Sequence, residues 1–198
     1  SNDLKTVSHP LVEIINDCHI KVKIYQVIST AFYLINISGV NDDTMVKMGR
    51  KFGLPRGCFI FWIPQKMMQV YGFLPKFSND REEEETQEQI LKADNLYLSY
   101  KVSGSLGMTF AVKDPETGEL MLFFTSKNGI GVENIYAEKY KELFCQRENL
   151  QTIVEAMAEQ GLTICSEVCF ENCHGNIVTK PGFVTTKISQ SEPIFFQT

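Results

Sequence analysis

The stretch that most constrains this chain is a strand–turn–strand in its middle. Leu106–Lys113 and Glu119–Thr125 are two apolar runs rich in β-formers, joined by Asp114-Pro115-Glu116-Thr117-Gly118. Proline presets φ, glycine accepts a left-handed backbone, and aspartate bonds its own main chain, so the five residues spell a hairpin loop. Two helical stretches follow, Asn134–Arg147 and Glu148–Gln160. The second puts Leu150, Ile153, Val154 and Met157 on one face, and Gly161 ends it. The pattern predicts an α+β fold: largely antiparallel sheets with helices packed against them.

Upstream and downstream segments fit that class. A short helix is expected over Pro10–Ile20, with Leu11, Ile14, Ile15 and Cys18 at helical spacing. One or two strands are expected over Lys21–Ile37. Asn41-Asp42-Asp43 is placed to cap a helix running to Lys51. Gly53–Gly57 reads as a turn, Cys58–Ile63 as an apolar strand closed by Pro64, and Gly72–Asn79 as irregular. Thr86–Lys92 suits one or two helical turns and Asn95–Tyr100 a strand. Further strands are expected near Leu162–Phe170, Asn176–Thr179 and Phe183–Ile188.

At 198 residues, 43% hydrophobic and 22% charged, the chain suits a single globular domain with a substantial core. We divide it into an N-terminal subregion, 1–53, and a motif-bearing core, 54–198. Wholesale disorder, collagen-like repetition and a coiled coil are excluded. No apolar run approaches the ~20 residues of a membrane span; Val27–Ile37 comes nearest and is interrupted by Ser29, Thr30 and Asn36. Ser1-Asn2 shows no signal-peptide pattern, so the expected setting is intracellular, cytoplasm or nucleus.

Net charge is −5 but unevenly spread. Residues 1–80 hold nine Lys/Arg and six Asp/Glu, whereas residues 81–198 hold ten and eighteen. Arg81–Glu88 alone contributes −4 and reads as a solvated loop or helix start. Global charge therefore does not announce a nucleic-acid binder, while a local basic surface on the first half stays open.

Six cysteines are present, without an export signal to favour disulfides. Cys165, Cys169, Cys173 and His174 invite a zinc reading. The x3-x3 spacing and the missing second Cys pair favour instead a strand whose cysteines act as small hydrophobes. His9 and His19 have no partner pattern.

The chemistry-bearing constellation begins at Lys101, read here at the end of a strand and followed by Val102-Ser103-Gly104-Ser105. Glycine allows a tight turn and close ligand approach; serine hydroxyls and amides can face a phosphate. A lysine amine is a nucleophile only when neutral, and the plain alternative is a surface lysine beside a hairpin. Arg56 enters an apolar strand, Lys76 sits in Pro75-Lys76-Phe77-Ser78-Asn79, and Lys127 ends the strand after the hairpin. Cations at strand ends can converge on one polyphosphate, arginine as a fork and lysine as a point charge. Glu167 lies among small and apolar neighbours and needs a partner: a ribose hydroxyl, a divalent metal or a lysine.

At these residues the chain resembles the covalent nucleotidyltransferases, and within them the phage-T4-type RNA ligase 1 and tRNA ligase group. Arg56-Gly57 matches the family's Arg-Gly, Lys76-Phe77-Ser78-Asn79 its Lys-Phe-Phe-Asn, and Lys101-Val102-Ser103-Gly104-Ser105 its nucleophile motif. Ser126-Lys127-Asn128-Gly129 matches its Ser-Lys-Gly element. Glu167 and Asn176-Ile177-Val178 follow in the family's order. The resemblance implies a nucleotidyltransferase (ATP-grasp-like ligase adenylation) domain. ATP and Mg²⁺ would serve it, and RNA with 5′-phosphate and 3′-hydroxyl ends would be the partner. It implies Lys101 as catalytic nucleophile, Arg56, Lys76, Phe77, Ser103, Gly104, Lys127 and Glu167 around the nucleotide, and Glu167 on ribose or metal. Ser103 stands where the family has Asp or Asn, and Ser78 where it has Phe. The chain ends before the family's Glu-Gly strand and paired-lysine strand, so a C-terminally truncated domain with a slow or inert first step is expected.

Two rivals remain at the level of sequence. One is a non-catalytic nucleotide- or RNA-binding module derived from a ligase fold. The other is an unrelated α+β domain with a structural cysteine cluster.

Overall fold

A computed structural model describes residues 20–25, 31–75, 84–131, 134–170 and 180–196. The first sheet holds β1 (Ile20–Tyr25), β2 (Tyr33–Gly39), β3 (Cys58–Ile63), β4 (Met67–Tyr71) and β9 (Ile194–Phe195), in the order β1-β2-β3-β4-β9. The second holds β5 (Ser105–Lys113), β6 (Leu120–Thr125), β7 (Leu162–Cys169) and β8 (Gly182–Gln190), in the order β6-β5-β7-β8. Every pairing is antiparallel. The α+β architecture of antiparallel sheets with packed helices is therefore found. The expected run Lys21–Ile37 resolves into two paired strands, β1 and β2.

Period-two alternation sorts the side chains into layers. Leu34, Phe59, Phe61 and Tyr71 of the first sheet meet Met108, Phe110, Val112, Phe123 and Cys165 of the second. The Tyr71 and Phe110 rings stack with centroids 4.3 Å apart. The alternate residues of the first sheet, Ile35, Ile37, Cys58, Ile60 and Trp62, pack with Met45 of α1 (Asp42–Phe52). The outer face of the second sheet carries α3 (Ile135–Phe144) and α4 (Leu150–Gln160). Phe124 and Val168 pack with Tyr140 and Phe144, and Ala111 packs with Val154 and Met157. Gly107 leaves the space into which the Tyr140 ring fits.

The helix ends follow local chemistry. Asn41 caps α1 by accepting from the Thr44 amide at 2.8 Å, and Gly53 closes it in the left-handed conformation. Asn134 caps α3 through Ala137, and left-handed Gly161 closes α4. In the β5–β6 loop, Asp114 Oδ1 accepts from the amides of Glu116 and Thr117.

One expected strand is absent. Asn95–Tyr100 is irregular backbone and exposed throughout, following α2 (Glu84–Lys92). Its strand-like composition finds no ladder, because β5, the next strand in sequence, already has β6 on one side and β7 on the other. β4 and β9 were not anticipated. The helix expected over Pro10–Ile20 and the strand over Asn176–Thr179 lie outside the described residues, apart from Ile20, which opens β1. No helix among the described residues is long and apolar enough to cross a membrane.

Candidate functional site

At one end of the molecule the layer between the sheets changes from apolar to polar on several strands together. On β2 the inward positions run Leu34, Asn36, Ser38; on β3, Phe61 and Phe59 give way to Gly57 in the preceding turn. On β6 they run Phe123, Thr125 and then Lys127 just past the strand. β5 runs Phe110, Met108, Leu106, and β7 runs Cys165, Glu167. Residues directly opposite in an antiparallel pair share a face. Glu167 opposite Leu106, and Thr125 and Cys165 opposite Met108, therefore lie on the inward side. A polar end of this kind is a place where a ligand can enter between two sheets.

Two contacts organise it. The Gly104 amide donates to Glu167 Oε1 at 2.7 Å, tying the Lys101-Val102-Ser103-Gly104 segment to β7. This answers the need for a partner at Glu167, because an amide donor to a carboxylate makes a strong, charge-assisted bond. Gly104 is small for a structural reason: a Cβ there would run into the Val168 carbonyl and come within 3.0 Å of Cys169 Sγ. The glycine thus lets the loop seat on β7. The second contact is between Lys127 Nζ and Asp42 Oδ1, 3.9 Å apart, at the head of α1. Ser126 donates its amide to the Gly129 carbonyl at 2.8 Å, which fixes the tight loop presenting Lys127 and Asn128.

A cavity of about 280 Å³ opens beside these groups. Asn36, Ser38, Asn41, Asp42, Lys127 and Asn128 supply its polar wall, with Gly57 and Met45 among the rest. Gly57 has φ +69, and a Cβ would collide with Met108 Cε, so the Arg56-Gly57 turn lies directly on β5. Arg56 is half-buried. Its amide donates to the Leu74 carbonyl and its carbonyl accepts from Phe73, which pins the turn to the segment leading toward Lys76.

Gly57, Gly104, Lys127 and Glu167 thus gather at one end of the inter-sheet layer. Lys101 does not stand at a strand end, as expected, because β5 begins only at Ser105. It is exposed, in the irregular segment 93–103, and no described residue makes a hydrogen bond or ion pair with its side chain. Ser103 is exposed, and its carbonyl accepts from Cys169 Sγ. Lys76 and Phe77 lie outside the described residues. Sequence reasoning missed Asn36 and Ser38. The signal was there, as a polar residue in an otherwise apolar strand, but only the sheet shows that it faces inward.

Among the described residues, no three His, Cys, Asp or Glu side chains gather to hold a metal. Glu167 offers a single carboxylate, and its Oε2 accepts no hydrogen bond from a described residue. That donor set suits a Mg²⁺ arriving on a nucleotide, which takes most of its ligands from phosphate and water. Cys165 belongs to the apolar core, where burial pushes its thiol up to about 12, partly offset by Ser189 and Lys187. Cys173, His174, His9 and His19 lie outside the described residues. On the far face of the second sheet, burial raises the Tyr140 hydroxyl, whose bond to Ser166 Oγ at 2.7 Å acts in the opposite sense.

Comparison of the chain with protein-family models and with curated proteins returns no match.

Proposed function

We propose that this chain is an ATP-dependent RNA ligase adenylyltransferase domain, with Lys101 as its nucleophile. The observation that carries the reading is the gathering of Gly57, Gly104, Lys127 and Glu167, drawn from four separate segments, at one polar end of a two-sheet core. Those four are among the residues through which the chain resembles the RNA ligases.

In the first step the neutral Lys101 amine attacks the α-phosphorus of ATP. A P–N bond forms, the bond to pyrophosphate breaks, and the nitrogen gives up its proton. An RNA 5′-phosphate oxygen then displaces the lysine and takes the AMP. Finally a 3′-hydroxyl attacks that 5′-phosphate, releases AMP and seals the strand. The transition states spread negative charge over phosphate oxygens, so the protein's task is positioning and electrostatic stabilisation. Lys127, Arg56 and Lys76 supply positive charge. Glu167 holds the Gly104 loop with one oxygen and offers the other to ribose or Mg²⁺.

The test is incubation with radiolabelled ATP and Mg²⁺. A labelled adduct is expected, and it is lost in Lys101→Ala; an adduct that survives that substitution removes Lys101 from the role. A second reading, a nucleotide- or RNA-binding module without the covalent step, draws on the exposure of Lys101, whose side chain has no partner among the described residues. It predicts ATP binding with no adduct.

A further inference from the structure

We propose that segment 94–100 of one chain docks in the apolar groove between α4 and β8 of a second copy, with its Asp94 carboxylate on Arg147. The surfaces involved lie outside the nucleotide site, so the assignment stands whether or not Lys101 takes AMP. The groove encloses about 300 Å³ on the helix-bearing face of the second sheet. Ile153, Ala156 and Met157 line it from α4, Leu162 and Ile164 from β7, and Ile188 from β8. Ile188 is 57% exposed, and β8 is an edge strand with no described strand on its outer side. Such an edge offers backbone groups to one more strand. Arg147 stands at one end of the groove. Its guanidinium carbon lies 4.8 Å from the centre of the Phe183 ring and 5.8 Å from that of Phe144. It makes no ion pair with a described residue. An arginine stacked on two rings holds its fork of donors ready for an anion.

The same chain carries the complementary ligand. Leu96, Tyr97, Leu98 and Tyr100 are 62%, 94%, 99% and 102% exposed, in irregular backbone with the composition of a strand. Large apolar side chains gathered in water in this way mark an interaction site. In an extended backbone Asp94, Leu96, Leu98 and Tyr100 fall on one side, a carboxylate followed by apolar groups. The groove presents the matching order, a guanidinium followed by an apolar floor. Asp94 has no hydrogen bond or ion pair with a described residue.

Direction decides between the chain's own groove and that of a second copy. Arg147 stands at the Phe183 end of β8, which is also the Glu167 end, because Val184 pairs with Glu167. The Gly104 amide is bonded to Glu167, so the chain's own segment is tethered there by its C-terminal side. Laid along its own β8, the segment would carry Asp94 to the end away from Arg147. A second copy has no such tether and brings Asp94 to Arg147 and Leu98 toward Ile188. Reciprocal exchange of the two segments closes a twofold dimer.

The test is analytical ultracentrifugation of the full chain over a concentration series, without nucleotide. A dimer is expected. Leu98→Asp alters an almost fully exposed side chain, so the fold is untouched. It is expected to weaken dimerisation by about tenfold or more, the size of one leucine left unburied. Ala156→Phe fills the groove and is expected to do the same, with circular dichroism and melting to check that it folds. Asp94→Arg and Arg147→Asp are each expected to weaken the dimer by roughly a few-fold. Mixing those two variants is expected to restore a 1:1 heterodimer, because each segment then meets a groove end of opposite charge. A chain that stays monomeric at every concentration overturns the proposal, as does a dimer indifferent to Leu98→Asp or to Ala156→Phe. A mixture that associates no better than its components overturns the Asp94–Arg147 pairing. A monomer whose Tyr97 and Tyr100 resist chymotrypsin puts the segment on its own chain and equally overturns it.

Discussion

At the scale of single residues, Gly104 and Glu167 form the joint on which the proposed site turns. Gly104→Ala must displace the Val168 carbonyl or lift the loop off β7. Overpacking of this kind costs about 1–3 kcal/mol, to be read by urea denaturation. Glu167→Gln keeps an acceptor for the Gly104 amide but loses the charge. It is expected to cost about 1 kcal/mol or less in stability, while adduct formation falls at least tenfold. Equal loss of stability in Glu167→Gln and Glu167→Ala would show that a neutral acceptor cannot hold the joint, and would contradict this division of roles. Sequence alone singled out both residues, because a carboxylate among small and apolar neighbours demands a partner. It could not tell that the partner is a backbone amide, since amides leave no mark in the amino-acid code.

Elements were most legible where the local signals were strongest. The β5–β6 hairpin, α1 with its Asn41 cap, and α4 with its Gly161 stop all stand within a few residues of expectation. Asn95–Tyr100 failed because strand propensity needs a free ladder as well as suitable side chains. β4 went unread because Gln69 and its short length weaken the alternation, and because tertiary bonds, such as Gln69 Nε2 to the Ser191 carbonyl, help hold it. Two outcomes belong to this scale. Asn41→Ala removes the acceptor for the Thr44 amide and hydroxyl and is expected to cost about 1 kcal/mol. Lys101 is exposed in segment 93–103 and its side chain has no partner among the described residues, so under the proposed chemistry bound nucleotide must engage that segment. Hydrogen exchange of its amides is expected to slow when ATP and Mg²⁺ are added; unchanged exchange speaks for the binding-only reading.

The molecule as a whole is a two-sheet core with helices outside, and its buried thiols make its stability sensitive to base. Burial pushes Cys58 from the ordinary 9.0 to about 12, and Cys165 likewise. Burial also raises the hydroxyls of Tyr71 and Tyr140. The folded chain keeps these protons when the unfolded chain has released them. Their contribution is therefore complete below about pH 9 and is lost as pH rises toward 12. Denaturation midpoints should hold steady up to about pH 8.5 and then fall, with a shallower fall in Cys58→Ala. The α+β class was legible in the residue pattern; the gathering of Gly104, Lys127 and Glu167 was expected through the family resemblance, because side-chain periodicity alone does not give strand register. The most direct measurement is peptide mass spectrometry of the chain after incubation with ATP and Mg²⁺. One AMP covalently held on Lys101 is the expected result; AMP on a different residue, or none on the chain, contradicts it.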